Sequence, residues 1–254
     1  MKGMADVTWQ FFENAKPPRG PHGGLMLRPD YATSWREAWN GSSSPNLASL
    51  RAAGWVMGVF LGDELLAQGV NVSELTIAAE TVKQDWPDAI VYWNEAWGPV
   101  INNDTYPDPR ARLAKVPSAV DWISLDYYRL DDTAWTVPEA EYRAKLYPKM
   151  AAHQRALQVP QAFGRSNDLC AARCYSNHSE IGCCTDNHGP NRGQTNHSFG
   201  WWDAHSAAVA QHYFDWARRD ERIVGINPWY WDANNRPDQT CTWRALSRSP
   251  FGEV

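Results

Sequence analysis

The chain has no long hydrophobic run. Its longest apolar stretch, Ala52–Gly62, is eleven residues bounded by Arg51 and Asp63, well short of the roughly 20 that a bilayer-spanning helix needs. A basic run is also missing, and 24 Lys and Arg against 29 Asp and Glu leave a net charge of −5, so nothing in the charge pattern points to nucleic acid. No Gly-x-Gly-x-x-Gly or Gly-x-x-x-x-Gly-Lys-Ser/Thr follows a strand-like segment. A nucleotide-binding sheet thereby loses its main support. The opening residues Met1–Trp9 hold no apolar core of the kind a secretory signal carries.

What the chain has in excess is indole: 15 Trp beside 10 Tyr and 7 Phe. That calls for a very aromatic core or for a surface that stacks on flat ligands. A content of 43% hydrophobic and 21% charged residues is that of a globular chain able to bury a core. Cys170, Cys174, Cys183 and Cys184 crowd into one polar loop, and Cys241 stands apart. Disulfides are one reading of the loop. A zinc cluster with His178, His188 and His197 is the other, weakened because no C-x-x-C pair with a partner pair occurs. Asn-x-Ser/Thr triplets begin at Asn40, Asn71, Asn103, Asn177 and Asn196, where chance alone gives about one or two. The expectation is therefore a secreted, disulfide-bonded glycoprotein whose signal lies upstream of Met1.

Strand-like segments occur at Val7–Phe12, Val56–Leu61, Ile90–Asn94, Trp122–Asp126, Val159–Phe163 and Ile223–Asn227. Helix-like ones lie between them. Ser73–Gln84 carries Leu75, Ala78, Ala79 and Val82 at helical spacing, with Ser73 placed as N-cap. Pro138–Gln158 is split by Pro148, and Ala204–Arg219 has Val209, Tyr213 and Trp216 on one face. Alternating strands and helices predict a parallel sheet flanked by helices. No linker or internal repeat divides residues 1–254, which read as a single domain.

The strand ends decide between an open sheet and a closed (β/α)8 barrel. They carry Asp63 and Glu64, Asn94 and Glu95, Asp126 with Tyr127 and Tyr128, and the shelf Trp229-Tyr230-Trp231-Asp232. Barrel enzymes place their active sites at such C-terminal ends. Carboxylates converging beside exposed indoles suit cleavage of a glycosidic bond, in which one acid protonates the leaving oxygen and a second carboxylate serves as base or nucleophile. Crowded carboxylates also raise each other's pKa, which keeps the acid protonated. Glu64 is thus the leading acid/base. Glu95 and Asp126 are candidates for the second carboxylate, and Asp63 and Asn94 for orienting it or binding hydroxyls. Trp93, Trp97, Trp229 and Trp231 are candidates for stacking on sugar, with Tyr127 and Tyr128 in support. Trp9, Trp55, Trp122 and Trp216 are expected in the core. Glu95 has a second reading, as the ion-pair partner of Arg110 or Arg112.

Leu61-Gly-Asp-Glu64 resembles the fourth-strand ending of glycoside hydrolase barrels, where an Asn-Glu or Asp-Glu pair carries the acid/base. Asp121–Tyr128 resembles the sixth strand of clan A, β-galactosidase-like glycosidases, and Ile223–Trp231 their eighth, with its sugar-platform tryptophan. The stretch 55–232 is similar to an uncharacterised eukaryotic group of such barrels. The resemblance implies a (β/α)8 barrel whose first strands lie upstream of Met1, a carbohydrate substrate and no cofactor. One departure stands out. The segment matching the seventh strand, Val159-Pro-Gln-Ala-Phe-Gly-Arg165, lacks the nucleophile Glu. Another carboxylate, or the substrate's own N-acetyl group, then supplies that role; alternatively the protein is a catalytically inactive, lectin-like barrel. A metal-dependent hydrolase using Asp63, Glu64, Asp126 and a histidine is disfavoured, because no His falls at a strand end.

Overall fold

The computed structural model describes residues 2–16, 24–42, 45–127, 137–160 and 210–227. The architecture is α/β. Its main sheet has six parallel strands in chain order: β1 (Gly3–Asp6), β4 (Val56–Asp63), β5 (Ile90–Ala96), β6 (Trp122–Tyr127), β7 (Arg155–Pro160) and β8 (Ile223–Ile226). A separate antiparallel ribbon pairs β2 (Phe12–Asn14) with β3 (Leu25–Leu27). The helices are α1 (Thr8–Phe11), α2 (Tyr31–Asn40), α3 (Leu47–Ala52), α4 (Val72–Asp85), α5 (Trp97–Ile101), α6 (Val137–Glu141) and α7 (residues 210–219). The chain divides into two compact units. The first holds Met1–Tyr127, Thr136–Gln158 and Asp220–Gly225. The second includes α7, where the Tyr213 and Trp216 rings lie 5.8 Å apart. Among the described residues no helix is long and apolar enough to cross a membrane.

Four of the expected strands coincide with observed ones. The segment Val7–Phe12 does not: the strand is Gly3–Asp6, and the apolar residues after it form a helical turn. Asp6 explains the break, because its Oδ1 accepts from the Thr8 N–H at 2.9 Å and from the Thr8 hydroxyl at 2.7 Å. That local bond competes with continued strand pairing. The expected Val159–Phe163 strand starts four residues earlier, at Arg155, and residues 161–163 lie outside the described residues. Pro138–Gln158 is helical only in its first half. There α6 passes into a π-helical turn over Tyr142–Leu146 and a 3₁₀ turn over Tyr147–Lys149 before β7 begins.

α4 shows why pattern outranks a single cap residue. Leu75, Ala78, Ala79 and Val82 are all fully buried, as their spacing predicts. The cap is Asn71 rather than Ser73, because only Asn71 has a glutamate three residues on. The Asn71 Oδ1 accepts from the Glu74 N–H at 2.9 Å, and the Glu74 carboxylate accepts from the Asn71 N–H at 3.0 Å. This capping box satisfies two of the orphan donors at the helix start.

Much of the tryptophan excess is structural. Trp35 stacks on Phe11 at 5.5 Å and on Trp39 at 5.8 Å, and Trp39 meets Trp86 at 5.4 Å. The Trp35 indole N–H donates to Asp85 at 2.8 Å, which ties α2 to α4. Trp216 is buried, but Trp122 is only half-buried, and Trp9 and Trp55 are 59% and 70% exposed, against the expectation that all four lie in the core. The reason is local: Trp9 sits on α1 instead of within a strand, and Trp55 precedes the first paired residue of β4.

Replacing Asn71 with Ala removes the cap and is expected to cost about 1 kcal/mol, whereas Asn71→Asp retains most of it. Denaturant unfolding followed by circular dichroism measures both.

Candidate active site

Parallel pairing places residues of neighbouring strands on shared faces. Tyr92, Asn94 and Ala96 of β5 pair with Trp122, Ser124 and Asp126 of β6. Side chains alternate along each strand, so Tyr92, Asn94, Ser124 and Asp126 share one face, and Trp93, Glu95, Ile123 and Leu125 share the other. The second face is apolar and fully buried, Glu95 apart.

β4 joins the polar face through an irregularity. Phe60 pairs with Tyr92, but Asp63 pairs with Asn94, so three residues on β4 span two on β5. The extra residue is absorbed around Gly62, at φ 148°. A side chain there would meet Leu65 at 2.8 Å and Thr8 at 3.1 Å, so glycine is required on both counts. Such a bulge re-aims the residues beyond it. Without it Asp63 would turn away from Asn94. With it, the Asn94 side-chain amide donates to the Asp63 Oδ1 at 2.6 Å. The Ser124 hydroxyl donates to the Asn94 Oδ1. That leaves the Tyr92 hydroxyl, 2.7 Å from the Ser124 Oγ, to act as donor in their contact. A run of donors from Tyr92 through Ser124 and Asn94 thus ends on the Asp63 carboxylate.

Glu64 comes directly after, in the left-handed region at φ 46°, where a non-glycine residue is strained. Its N–H donates to the Asn94 carbonyl at 3.0 Å, and its own carbonyl accepts from the Gln68 N–H at 2.8 Å, so the turn over-determines the conformation. The side chain is half-buried, with Asp126 and Asp63 as its charged neighbours. Burial first, then the negative charges of Asp126 and Asp63, push its pKa from 4.5 up to about 7. The crowding of three carboxyls at this strand end favours a proton on Glu64.

Glu95 lies on the other face, fully buried. It pairs with neither Arg110 nor Arg112: Arg110 binds Asp108 at 2.8 Å, and Arg112 donates to the Tyr106 carbonyl at 2.9 Å. Instead the Glu95 Oε2 accepts from the Leu66 N–H at 2.8 Å and from the Trp93 indole at 2.9 Å. Its Oε1 accepts from the N–H groups of Ala67 at 3.2 Å and Ala96 at 2.9 Å. Burial pushes its pKa up to about 8 while these four donors pull against the rise. All four partners are donors and favour the ionised form, while burial, the larger effect, favours the neutral one. Glu95 anchors the turn that carries Glu64.

The remaining expected site residues separate. Trp93 is fully buried beneath Glu95. Trp97 opens α5 half-buried, its ring 6.4 Å from that of Tyr142. Tyr127 ends β6; its side chain lies outside the described residues, as do Tyr128, Trp229, Trp231 and all five cysteines. Three participants escape a reading of strand ends. Ser124 and Tyr92 lie mid-strand, and only their parity with Asn94 could have flagged them. Tyr106 comes from the loop after α5, its ring packed on Gly98. Burial, then the charges of Glu95, Asp108 and Glu64, raise its phenol pKa. On β7 the buried polar side chain is Gln158, an amide whose two polar atoms have no hydrogen-bond partner among the described residues. Among the described residues no group of three or more His, Cys, Asp or Glu side chains could hold a metal ion.

Glu95→Gln replaces one acceptor oxygen with an amide nitrogen facing two N–H donors. It is expected to lower stability by about 1–3 kcal/mol, read as a drop in melting temperature. No protein-family model matches the chain, and no curated protein matches it.

Proposed function

We propose that the chain is a glycoside hydrolase in which Glu64 is the general acid/base, within a (β/α)8-type barrel whose consecutive strands include β1 and β4–β8. The observation that carries this reading is the convergence of Asp63, Glu64 and Asp126 at the C-terminal end of the sheet, where burial and the neighbouring charges push the Glu64 pKa to about 7. A general acid works best with a pKa close to the operating pH.

The same convergence argues for how the second role is filled. Retaining glycosidases set their two carboxyls about 5–5.5 Å apart and inverting ones about 6.5–9.5 Å. Asp126 and Asp63 act on Glu64 as crowding charges that keep it protonated, a role distinct from that of a nucleophile. Glu95 faces the other side of the sheet, and the buried polar residue of β7 is an amide. The substrate's own 2-acetamido group then serves as the nucleophile, a known exception to the two-carboxylate scheme. Protonated Glu64 gives its proton to the glycosidic oxygen as the C1–O bond breaks, while the acetamido carbonyl oxygen bonds to C1. Water next attacks C1, releasing the acetamido oxygen, and ionised Glu64 takes the proton of that water. The charges of Asp126 and Asp63 keep Glu64 protonated between turnovers, and in this reading Asp63, held by the Asn94 amide, accepts from the acetamido N–H or a ring hydroxyl. A silent carbohydrate-binding protein is the second reading, favoured by the lack of a carboxylate in residues 159–165, the segment matching the seventh strand.

Secretion belongs with this reading. Among the acceptor triplets in described residues, Asn40 is exposed at the end of α2. Asn71 is engaged in its capping box, and the side-chain amide of Asn103 donates to the Leu113 carbonyl at 3.2 Å.

Aryl 2-acetamido-2-deoxyhexosides are expected to be hydrolysed, and their 2-hydroxy counterparts not. Glu64→Gln is expected to lower kcat by about 100-fold or more. Full activity in Glu64→Gln, or equal turnover of the 2-hydroxy series, would overturn the proposal. Activity should fall about tenfold per pH unit above pH 7 as Glu64 loses its proton.

A second measurement needs no substrate. A carboxyl whose folded pKa lies above its unfolded value stabilises the fold most at low pH, and that contribution is lost as pH rises through the folded value. Wild-type stability is therefore expected to fall between about pH 4.5 and pH 7, and Glu64→Gln to lose the Glu64 part of that fall. The melting temperature across this range reads it out.

A further inference from the structure

The residues after β1 lie beside the carboxyl site. The Val7 N–H donates to the Phe60 carbonyl at 3.0 Å, extending the β1–β4 pairing by one residue toward Gly62. The side chain of Thr8 then sits against Gly62, 3.1 Å from where a Cβ would stand. Gly62 is two residues before Glu64. The next residue, Trp9, is 59% exposed. Its exposure is not that of a loose segment. Phe11 and Phe12 are fully buried, Asp6 fixes the helix start at Thr8, and the carbonyls of Trp9 and Phe11 accept from Arg28 at 3.4 Å and 2.8 Å. The backbone under Trp9 is held on both sides while the indole itself is uncovered.

A rigid backbone presenting a largely exposed indole at the same end of the sheet as a carboxyl cluster is what recognition of a sugar ring needs. The flat aromatic face covers the less polar face of the ring at low cost in side-chain entropy, and the carboxyls address its oxygens. We propose that Trp9 is the stacking platform of the carboxyl site, binding the apolar face of a 2-acetamido sugar ring whose glycosidic oxygen is presented to Glu64. This assignment rests on the glycosidase reading above. It places the platform on the segment after β1, in the part of the sheet where the strand-end tryptophans of β5 are buried or packed on tyrosine. Trp55 supplies an internal control. It is 70% exposed, but it precedes β4 and so stands at the opposite end of the strands from Glu64.

The test compares Trp9→Ala, Trp9→Phe and Trp55→Ala in the full chain. It uses aryl 2-acetamido-2-deoxyhexosides for kinetics and N-acetylglucosamine oligosaccharides for titration by tryptophan fluorescence and calorimetry. All three variants change an exposed side chain, so melting temperatures near wild type confirm that each is folded. Trp9→Ala is expected to raise KM and weaken oligosaccharide binding by about tenfold, with kcat little changed. Trp9→Phe should recover most of that loss, and Trp55→Ala should match wild type. Unchanged binding in Trp9→Ala, an equal loss in Trp55→Ala, or no saturable binding by wild type each overturns the assignment. The catalytic reading is judged separately: an active Glu64→Gln that still binds oligosaccharide through Trp9 sinks the acid/base role and leaves the platform standing.

Discussion

The site depends on one buried carboxyl group. The turn after β4 has to hold Glu64 in a left-handed conformation that its side chain disfavours, and it has to do so beside a second carboxyl that repels it. Glu95 supplies the constraint. By accepting from the backbone of Leu66 and Ala67 it binds the turn to β5, and through Trp93 and Ala96 it is itself locked to its own strand. A carboxylate in an apolar layer is costly unless fully hydrogen-bonded, and here both oxygens are shared between two donors each. The strain at Glu64 is thereby compensated by bonds made on the opposite side of the sheet.

The second requirement is geometric. A parallel strand that keeps its two-residue period would place Asp63 on the apolar face, with Trp93 and Glu95. The irregularity at Gly62 moves it across, so Asp63, Asn94, Ser124 and Asp126 converge. Gly62 also lets Thr8, the first residue of α1, approach. One glycine therefore determines both which carboxylates meet and how closely the segment after β1 packs on the turn that carries them.

Much of the scaffold is legible along the chain because it rests on local patterns. The apolar strand Val56–Asp63, the periodicity of Leu75, Ala78, Ala79 and Val82, and the roughly 30-residue alternation of strand and helix each point to a parallel α/β sheet. The N-terminal segment misleads for a physical reason: Val7–Phe12 is apolar enough for a strand, but Asp6 bonds to Thr8 and starts a helical turn. The site was legible in composition and misassigned in parity. Asn94 and Glu95 are adjacent letters that point to opposite faces, and only pairing partners reveal which one meets Asp63. The tryptophans divide in the same way, since Trp35, Trp39 and Trp86 gain their roles from packing between α2 and α4 that no spacing rule links.

By itself the sequence determined the α/β class, the helical face of α4 and the presence of acidic strand ends, because each depends on residues close together along the chain. The tertiary structure decided which of those acids converge, which one is a structural anchor, and which indoles are left exposed. Those outcomes depend on strand register, on one bulge and on burial, and all three are set by residues far apart in sequence.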